Sequence, residues 1–264
     1  MPISSSSTAP VGAATARLMF LLLLFCGTIC TAMIVPFMSY FLVRGLGYEP
    51  WIISVYAGMA ISLTLVANRQ FARRIDAGAR VFPLVGLAAA GFVFCLSSAH
   101  SLTFSALPIF YVEEVGLPGY APGFAFSIKT FVEVIAIFST PWVIARIGMW
   151  RALLAVTGLA VVTIQLLAAV QSFPQMLAGA ALEGLYYGFY ASLGISYVQS
   201  FAPDTPARAT AIYWNTLMVS GVMAGPAVGL IAQAYDFQTV IRCASGVAVV
   251  AAAVLIFGRP RSPA

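Results

Sequence analysis

Charge is what this chain has least of. Its 264 residues include 13 Lys and Arg and 8 Asp and Glu, so only 8% are charged while 61% are hydrophobic. A soluble domain carries roughly 25% charged residues and about 45–50% apolar ones. There are too few charges here to cover a water-facing surface, and a soluble globule is excluded. Histidine is nearly absent as well: the one copy, His100, has no carboxylate close to it in sequence. The four cysteines, Cys26, Cys30, Cys95 and Cys243, have no CxxC spacing and no partnering histidines. They read as buried thiols rather than as a metal or redox centre. A serine nucleophile elbow, paired zinc ligands and a Gly-rich phosphate loop are also missing. The sequence therefore predicts neither an enzyme nor a bound cofactor. The net charge of +5 comes from arginines that flank apolar stretches, which points to membrane topology and away from nucleic acid.

What is present is a series of charge-free intervals, at 18–43, 50–68, 81–112, 152–182, 184–203 and 209–235. About 20 apolar residues span the hydrocarbon core as a helix, so the chain reads as an all-α polytopic membrane protein. With Gly, Pro and charge as punctuation, helices are predicted near 18–43, 51–68, 121–144, 152–171, 175–199, 210–234 and 240–257, with a further segment at 81–112. The apolar run after Arg17 is longer than the 7–15 residues of a signal-peptide core, which predicts an uncleaved first helix behind a disordered tail at 1–16. Cytoplasmic loops concentrate Lys and Arg. Placing the N-terminus inside puts Arg17, the group from Arg69 to Arg80, Arg146, Arg151, Arg208, Arg259 and Arg261 on the inner side. The scheme closes only if 81–112 crosses once. At about 1.5 Å per residue that segment is longer than the ~30 Å core, so a break is expected around Ser97–Ser105 or at Pro108. Eight crossings result, with both termini inside.

The loops at 73–80 and 146–151 are both short and basic, and each joins two small-residue helices, which forms a weak internal repeat. Short basic inner loops in repeated halves mark the major facilitator superfamily. More specific stretches resemble the bacterial sugar efflux transporters of that superfamily. These are Pro36–Leu42 followed by Gly47–Ile52, Gly116–Pro118 with the helix from Ala121 to Glu133, and Gln199, Pro203, Asn215, Ser220–Gly225 and Ala232–Gln233. They occur in the family's order from about residue 17 to 258. The resemblance implies a multi-pass inner (plasma) membrane protein with an incomplete major facilitator fold. Members have twelve helices, whereas here a third-helix-like segment at Val81–Ser98 runs almost directly into Phe104–Tyr111, which resembles the end of a seventh. The chain is thus expected to be shortened by an internal deletion, with a partial N-terminal bundle of about three helices at 17–103 and a six-helix-type bundle with a truncated first helix at 104–264.

Ionisable side chains at mid-membrane are costly and by default mark functional sites. Lys129 and Glu133 lie four apart on one helical face and can pair, and Glu183 falls near the middle of 175–199. Two readings of the pair stand open: mutual neutralisation that merely permits insertion, or charges facing a polar cavity that binds sugar hydroxyls or couples to protons. Glu133 matches the family's acidic position. Amide and aromatic groups suited to a sugar ring are Asn215, Tyr187 and Trp214, with Tyr186, Tyr190, Tyr213, Gln165 and Tyr56 behind them. Gly221, Gly225 and Pro226 form a small-residue stretch that can pack closely against another helix or act in gating through the proline kink. Arg74 and Asp76 could form an inner charge latch or only report topology.

Two functions follow from the resemblance. One is a proton-linked secondary transporter exporting sugar-like small molecules across the lipid bilayer by alternating access. The other is a transport-inactive shortened protein, or a subunit that needs a partner chain. In either case, homodimerisation would close the wall left open by the missing helices.

Overall fold

The chain divides into two compact units, residues 1–56 and 57–264. A computed structural model describes residues 84–258, with side chains from Ala88 onward, together with Met59, Ser62 and Val66. The fold below is that part of the second unit. The helix expected at 18–43, the loop carrying Arg74 and Asp76, and Tyr56 lie outside the described residues.

Six long helices follow in order: α1 (Leu84–Ile109, prolonged by a π-helical turn at Phe110–Glu114), α2 (Ala121–Ile147), α3 (Met149–Ala168), α4 (Phe173–Ser200), α5 (Pro206–Ala234) and α6 (Phe237–Phe257). Their starts follow from local chemistry. Proline occupies the first turn of α2, α4 and α5, where its missing N–H costs nothing and its fixed φ suits the helix. At α6 the Asp236 carboxylate accepts from the Thr239 amide at 2.5 Å. The Glu114 carboxylate, at the end of α1, adds bonds from the Phe237 and Gln238 amides at 2.6 and 3.1 Å. Two acidic groups thus serve the orphan donors of one helix start. Gly148 separates α2 from α3 with φ of 80°, and Gly116 follows the π turn with φ of 75°; both conformations favour glycine.

Helices consecutive in sequence run in opposite directions. Gly184 and Gly188 of α4 meet Lys129 and Glu133 of α2 in rising order, so α2 and α4 run parallel. Tyr190 bonds Val93 and Ser97 while Tyr186 bonds His100, so α1 runs antiparallel to α4. Gly91 faces Val254 and Gly258 faces Ala88, which sets α6 antiparallel to α1. One end of the bundle accordingly gathers the α2–α3 and α4–α5 junctions with Arg146, Arg151, Asp204 and Arg208. The other gathers Glu113, Glu114, Asp236 and Arg242. The arginines at the first end are the pattern that the positive-inside rule expects of a cytoplasmic side.

Five of the helices are long and apolar enough to cross a membrane: Ala88–Glu114, Ala121–Ile147, Met149–Ala168, Pro206–Ala234 and Phe237–Phe257. The sixth, α4, is not among them; it carries Glu183, Gln175, Gln199 and a run of tyrosines. Outward-facing side chains are large and apolar, with Phe131 69% and Phe138 81% exposed on α2 and Leu230 70% exposed on α5. Such faces suit lipid and would be untenable in water.

Two expectations change. From Leu84 onward the segment enters a single helix, and of the two expected places for a break, Ser97–Ser105 stays regular while the stretch just after Pro108 does not. Two of the polar residues at Ser97–Ser105 find partners within the intact helix bundle: Ser97 meets Tyr190, and Thr103 donates to its own helix at Ala99, whereas the Ser98 hydroxyl is buried without a partner among the described residues. Irregularity comes two residues after Pro108, as the π turn. The junction expected at 103/104 therefore falls inside continuous α1, which packs on α5 and α6 as one element. The cysteine reading also fails in part: Cys243 is exposed and Cys95 half-buried. An apolar interval records the membrane, and one side of every outer helix faces lipid.

Candidate functional site

The chemistry of the bundle is concentrated where α1, α2 and α4 meet. Glycine makes the meeting possible. A Cβ on Gly184 would overlap the Lys129 carbonyl oxygen, and one on Gly188 would sit 2.5 Å from the Glu133 carbonyl oxygen and 2.8 Å from the Ala136 Cβ. The two backbones therefore touch over one helical turn, the small-xxx-small contact by which membrane helices approach closely. This contact sets Lys129 and Glu133 directly against the turn of α4 that carries Glu183 and Tyr187.

Lys129 donates to Glu133 across 3.3 Å, the spacing of an i,i+4 pair, and is only 5% exposed. Its ammonium also lies 4.7 Å from the ring centre of Tyr187 and 5.3 Å from that of Phe104. Aromatic faces attract a cation most strongly where water is excluded. Opposite, Glu183 is 3% exposed, with Oε1 3.7 Å from His100 Nδ1. His100 stacks on Tyr187 with ring centres 3.8 Å apart, and its Nδ1 lies 3.1 Å from the Tyr186 hydroxyl. One turn further along, Ser97 lies 2.6 Å from the Tyr190 hydroxyl, which itself donates to the Val93 carbonyl at 2.9 Å. Glu183 Oε1 and the Tyr111 hydroxyl are buried without a hydrogen-bond partner among the described residues. At about 1.5 Å per residue, Glu183 lies roughly 15 Å along α4 from its outer end, well inside the membrane.

Of the residues singled out from sequence, Lys129, Glu133, Glu183 and Tyr187 converge here, with Tyr186 and Tyr190 completing the α4 face. Tyr213 of α5 joins from the side, its hydroxyl donating to the Ala191 carbonyl. Trp214 does not join: it is 45% exposed and touches Tyr213 edge-on. Asn215 is half-buried on α5, and Gln165 is exposed on α3. At Gly221 and Gly225 a Cβ would meet nothing within 4 Å among the described residues. The close approach expected there is found instead at Gly184 and Gly188. Pro226 lies inside α5. His100 was missed as a member, because the carboxylate it faces is 83 positions away in sequence. Its position as an ionisable group inside an apolar interval was the available signal.

The described residues hold no group of three or more His, Cys, Asp or Glu able to bind a metal. A cavity of about 270 Å³ lies at the outer end, lined by Phe110, Glu114, Val115, Val170, Gln171 and Gln238, apart from the charged cluster.

An up-and-down bundle of apolar helices with charges buried between them defines a helical membrane protein. The chain belongs to the Major Facilitator Superfamily, whose sequence profile matches residues 92–264, and it is a multi-pass protein of the inner (plasma) membrane. It is similar to Sugar efflux transporter B of Salmonella typhimurium, 27% identical over 56% of this chain and 38% of the relative. It is also similar to Sugar efflux transporter C of Escherichia coli, 24% identical over 63% of this chain and 43% of the relative. An uncharacterized MFS-type transporter of Mycobacterium tuberculosis is 27% identical over 50% of this chain and 32% of its own length. The chain thus spans about two-fifths or less of the length of these curated relatives.

Proposed function

We propose that the chain is a secondary transporter that exports sugars or related small molecules by alternating access, linked to protons. The observation that carries this reading is the buried group of Lys129, Glu133, His100 and Glu183 between three helices at mid-membrane. Merely neutralising a charge for insertion would need only the Lys129–Glu133 pair. Glu183 adds a second carboxylate and leaves one oxygen without a partner, an expensive arrangement unless it serves a ligand or a proton. Tyr186, Tyr187 and Tyr190 supply the aromatic and hydroxyl groups that a sugar ring needs, and the names of the relatives point to the same substrate class. In this reading Glu133 and Lys129 bind hydroxyls, Tyr187 stacks on the ring, and Glu183 belongs to the proton side. Asn215 contributes from α5, with Gly221, Gly225 and Pro226 in its packing or gating and Arg74 and Asp76 in an inner latch. Export of radiolabelled sugars from cells expressing the chain tests it. Efflux above the empty vector, lost in Glu133→Gln, supports the proposal, and equal efflux from chain, variant and vector refutes it.

A second reading is favoured by the short span relative to the curated relatives and by the low burial of α2 and α5, the least enclosed of the membrane-length helices. In that reading the chain is inactive alone, or is a subunit whose partner, another protein or a second copy, covers those faces. Native mass spectrometry in detergent distinguishes the two by showing whether a higher assembly exists.

A further inference from the structure

Four ionisable groups lie together, but their charges do not cancel. Lys129 and Glu133 neutralise one another at 3.3 Å. Glu183 remains, with side-chain exposure of 4% and, among the described residues, no charged donor within 3.5 Å. A lone carboxylate in such surroundings is strongly unfavourable, and a single proton restores neutrality. Glu133 is already served by the ammonium, so the basic atoms left to take that proton are Glu183 Oε1 and His100 Nδ1, 3.7 Å apart.

We propose that His100 and Glu183 together hold one exchangeable proton, and that the Tyr186 hydroxyl takes the place of that proton when it leaves. In the loaded state the proton lies between Nδ1 and Oε1, as imidazolium with carboxylate or as imidazole with carboxylic acid. No other bond changes in passing from one form to the other. In the unloaded state neutral His100 accepts from the Tyr186 O–H at Nδ1, the 3.1 Å contact observed, and Oε1 is unpartnered, as observed. Closing 3.7 Å to hydrogen-bond length needs only about half an ångström of ring travel. The stack on Tyr187 guides that travel in the ring plane.

The charged and titratable neighbours among the described residues all bear on the pair. From α2 come Lys129 and Glu133, whose charges act on Glu183. From α4 come Tyr186 and Tyr187, and from α1 comes Tyr111, close enough to feel the Glu183 charge. The pair ties α1 to α4, so its proton content sets whether these helices are held by a charge-assisted bond or by a tyrosine bond. The relevance of this site to transport rests on the reading above, but its proton count does not.

His100 is the sole histidine, which allows a direct test. The full chain, purified without a histidine tag and placed in lipid nanodiscs, is labelled with ¹⁵N-histidine and followed by NMR across pH. Infrared spectra of the carboxyl groups are recorded over the same range. The proposal requires the imidazole signal and one protonated-carboxyl band to titrate together, as coupled sites do. The band must vanish in Glu183→Gln, and in His100→Gln its amplitude at neutral pH must rise about two-fold or more, because the carboxylate then holds the proton alone. An imidazole signal that ignores the carboxyl titration, or a band that survives Glu183→Gln, overturns it. The wild-type NMR arm decides alone if the variants do not fold. Coupled titration in a chain that exports nothing would leave the proton site standing and remove the transport reading, and the converse result would do the opposite.

Discussion

Replacing Gly188 by alanine adds one methyl group at the point where α2 and α4 touch. Its Cβ would lie 2.5 Å from the Glu133 carbonyl oxygen, 2.8 Å from the Ala136 Cβ and 3.0 Å from the Glu133 Cα, whereas ordinary contact begins at 3.4 Å. The helices must separate by about 1 Å, because the obstacle is backbone and no side chain can turn aside. Overpacking of this kind costs about 1–3 kcal/mol. The higher helix propensity of alanine returns up to about 1 kcal/mol. A net loss of about 1–2 kcal/mol follows, together with withdrawal of Lys129 from the Tyr187 ring. Gly158→Ala is the matched control: the position is exposed on α3 and its Cβ would meet nothing within 4 Å. It should be neutral or slightly stabilising. Reversible unfolding in mixed micelles, read by tryptophan fluorescence, compares the two. If Gly188→Ala is as stable as the parent, or Gly158→Ala loses more, the α2–α4 contact does not organise the site.

Three further outcomes follow. Lys129→Met strands Glu133 beside Glu183, and breaking a buried pair costs about 3–5 kcal/mol. Adding Glu133→Gln should recover most of the stability but none of the export, which separates a neutralising pair from a working one. Tyr190→Phe removes the hydroxyl shared by Ser97 and Val93 and should cost about 0.5–1.5 kcal/mol; a double-mutant cycle with Ser97→Ala should show coupling, and strict additivity would contradict the bond. Asp236 lies outside the membrane-spanning segments, and bonds from the Thr239 side chain and amide hold its carboxyl below the ordinary carboxylate range. A depressed folded-state pKa stabilises above the unfolded value and is lost as pH falls through the folded one. Asp236→Ala should therefore cost about 0.5–2 kcal/mol at neutral pH and nothing at strongly acid pH, as compared by thermal unfolding at the two conditions.

Spans were legible because a membrane imposes one requirement on every helix, a long apolar stretch with few charges, and the observed ends fall within a few residues of the expected ones. The Lys129–Glu133 pair was legible for a related reason, since i,i+4 spacing is local. Which face of an apolar helix meets its neighbour is not written in hydropathy. Small residues at Gly221 and Gly225 and at Gly184 and Gly188 look alike in sequence, yet among the described residues only the second pair lies under another backbone. His100 stayed hidden because it pairs across the bundle, and Trp214 was overvalued because an aromatic facing lipid and one facing a site have the same composition signal.

The account turns on whether the buried cluster moves a solute. Purified chain in proteoliposomes loaded with radiolabelled sugar, with and without an imposed pH gradient, measures this directly. The account predicts release faster than from protein-free liposomes, dependent on the gradient and abolished by Glu133→Gln. Release at the protein-free rate under both conditions would contradict it.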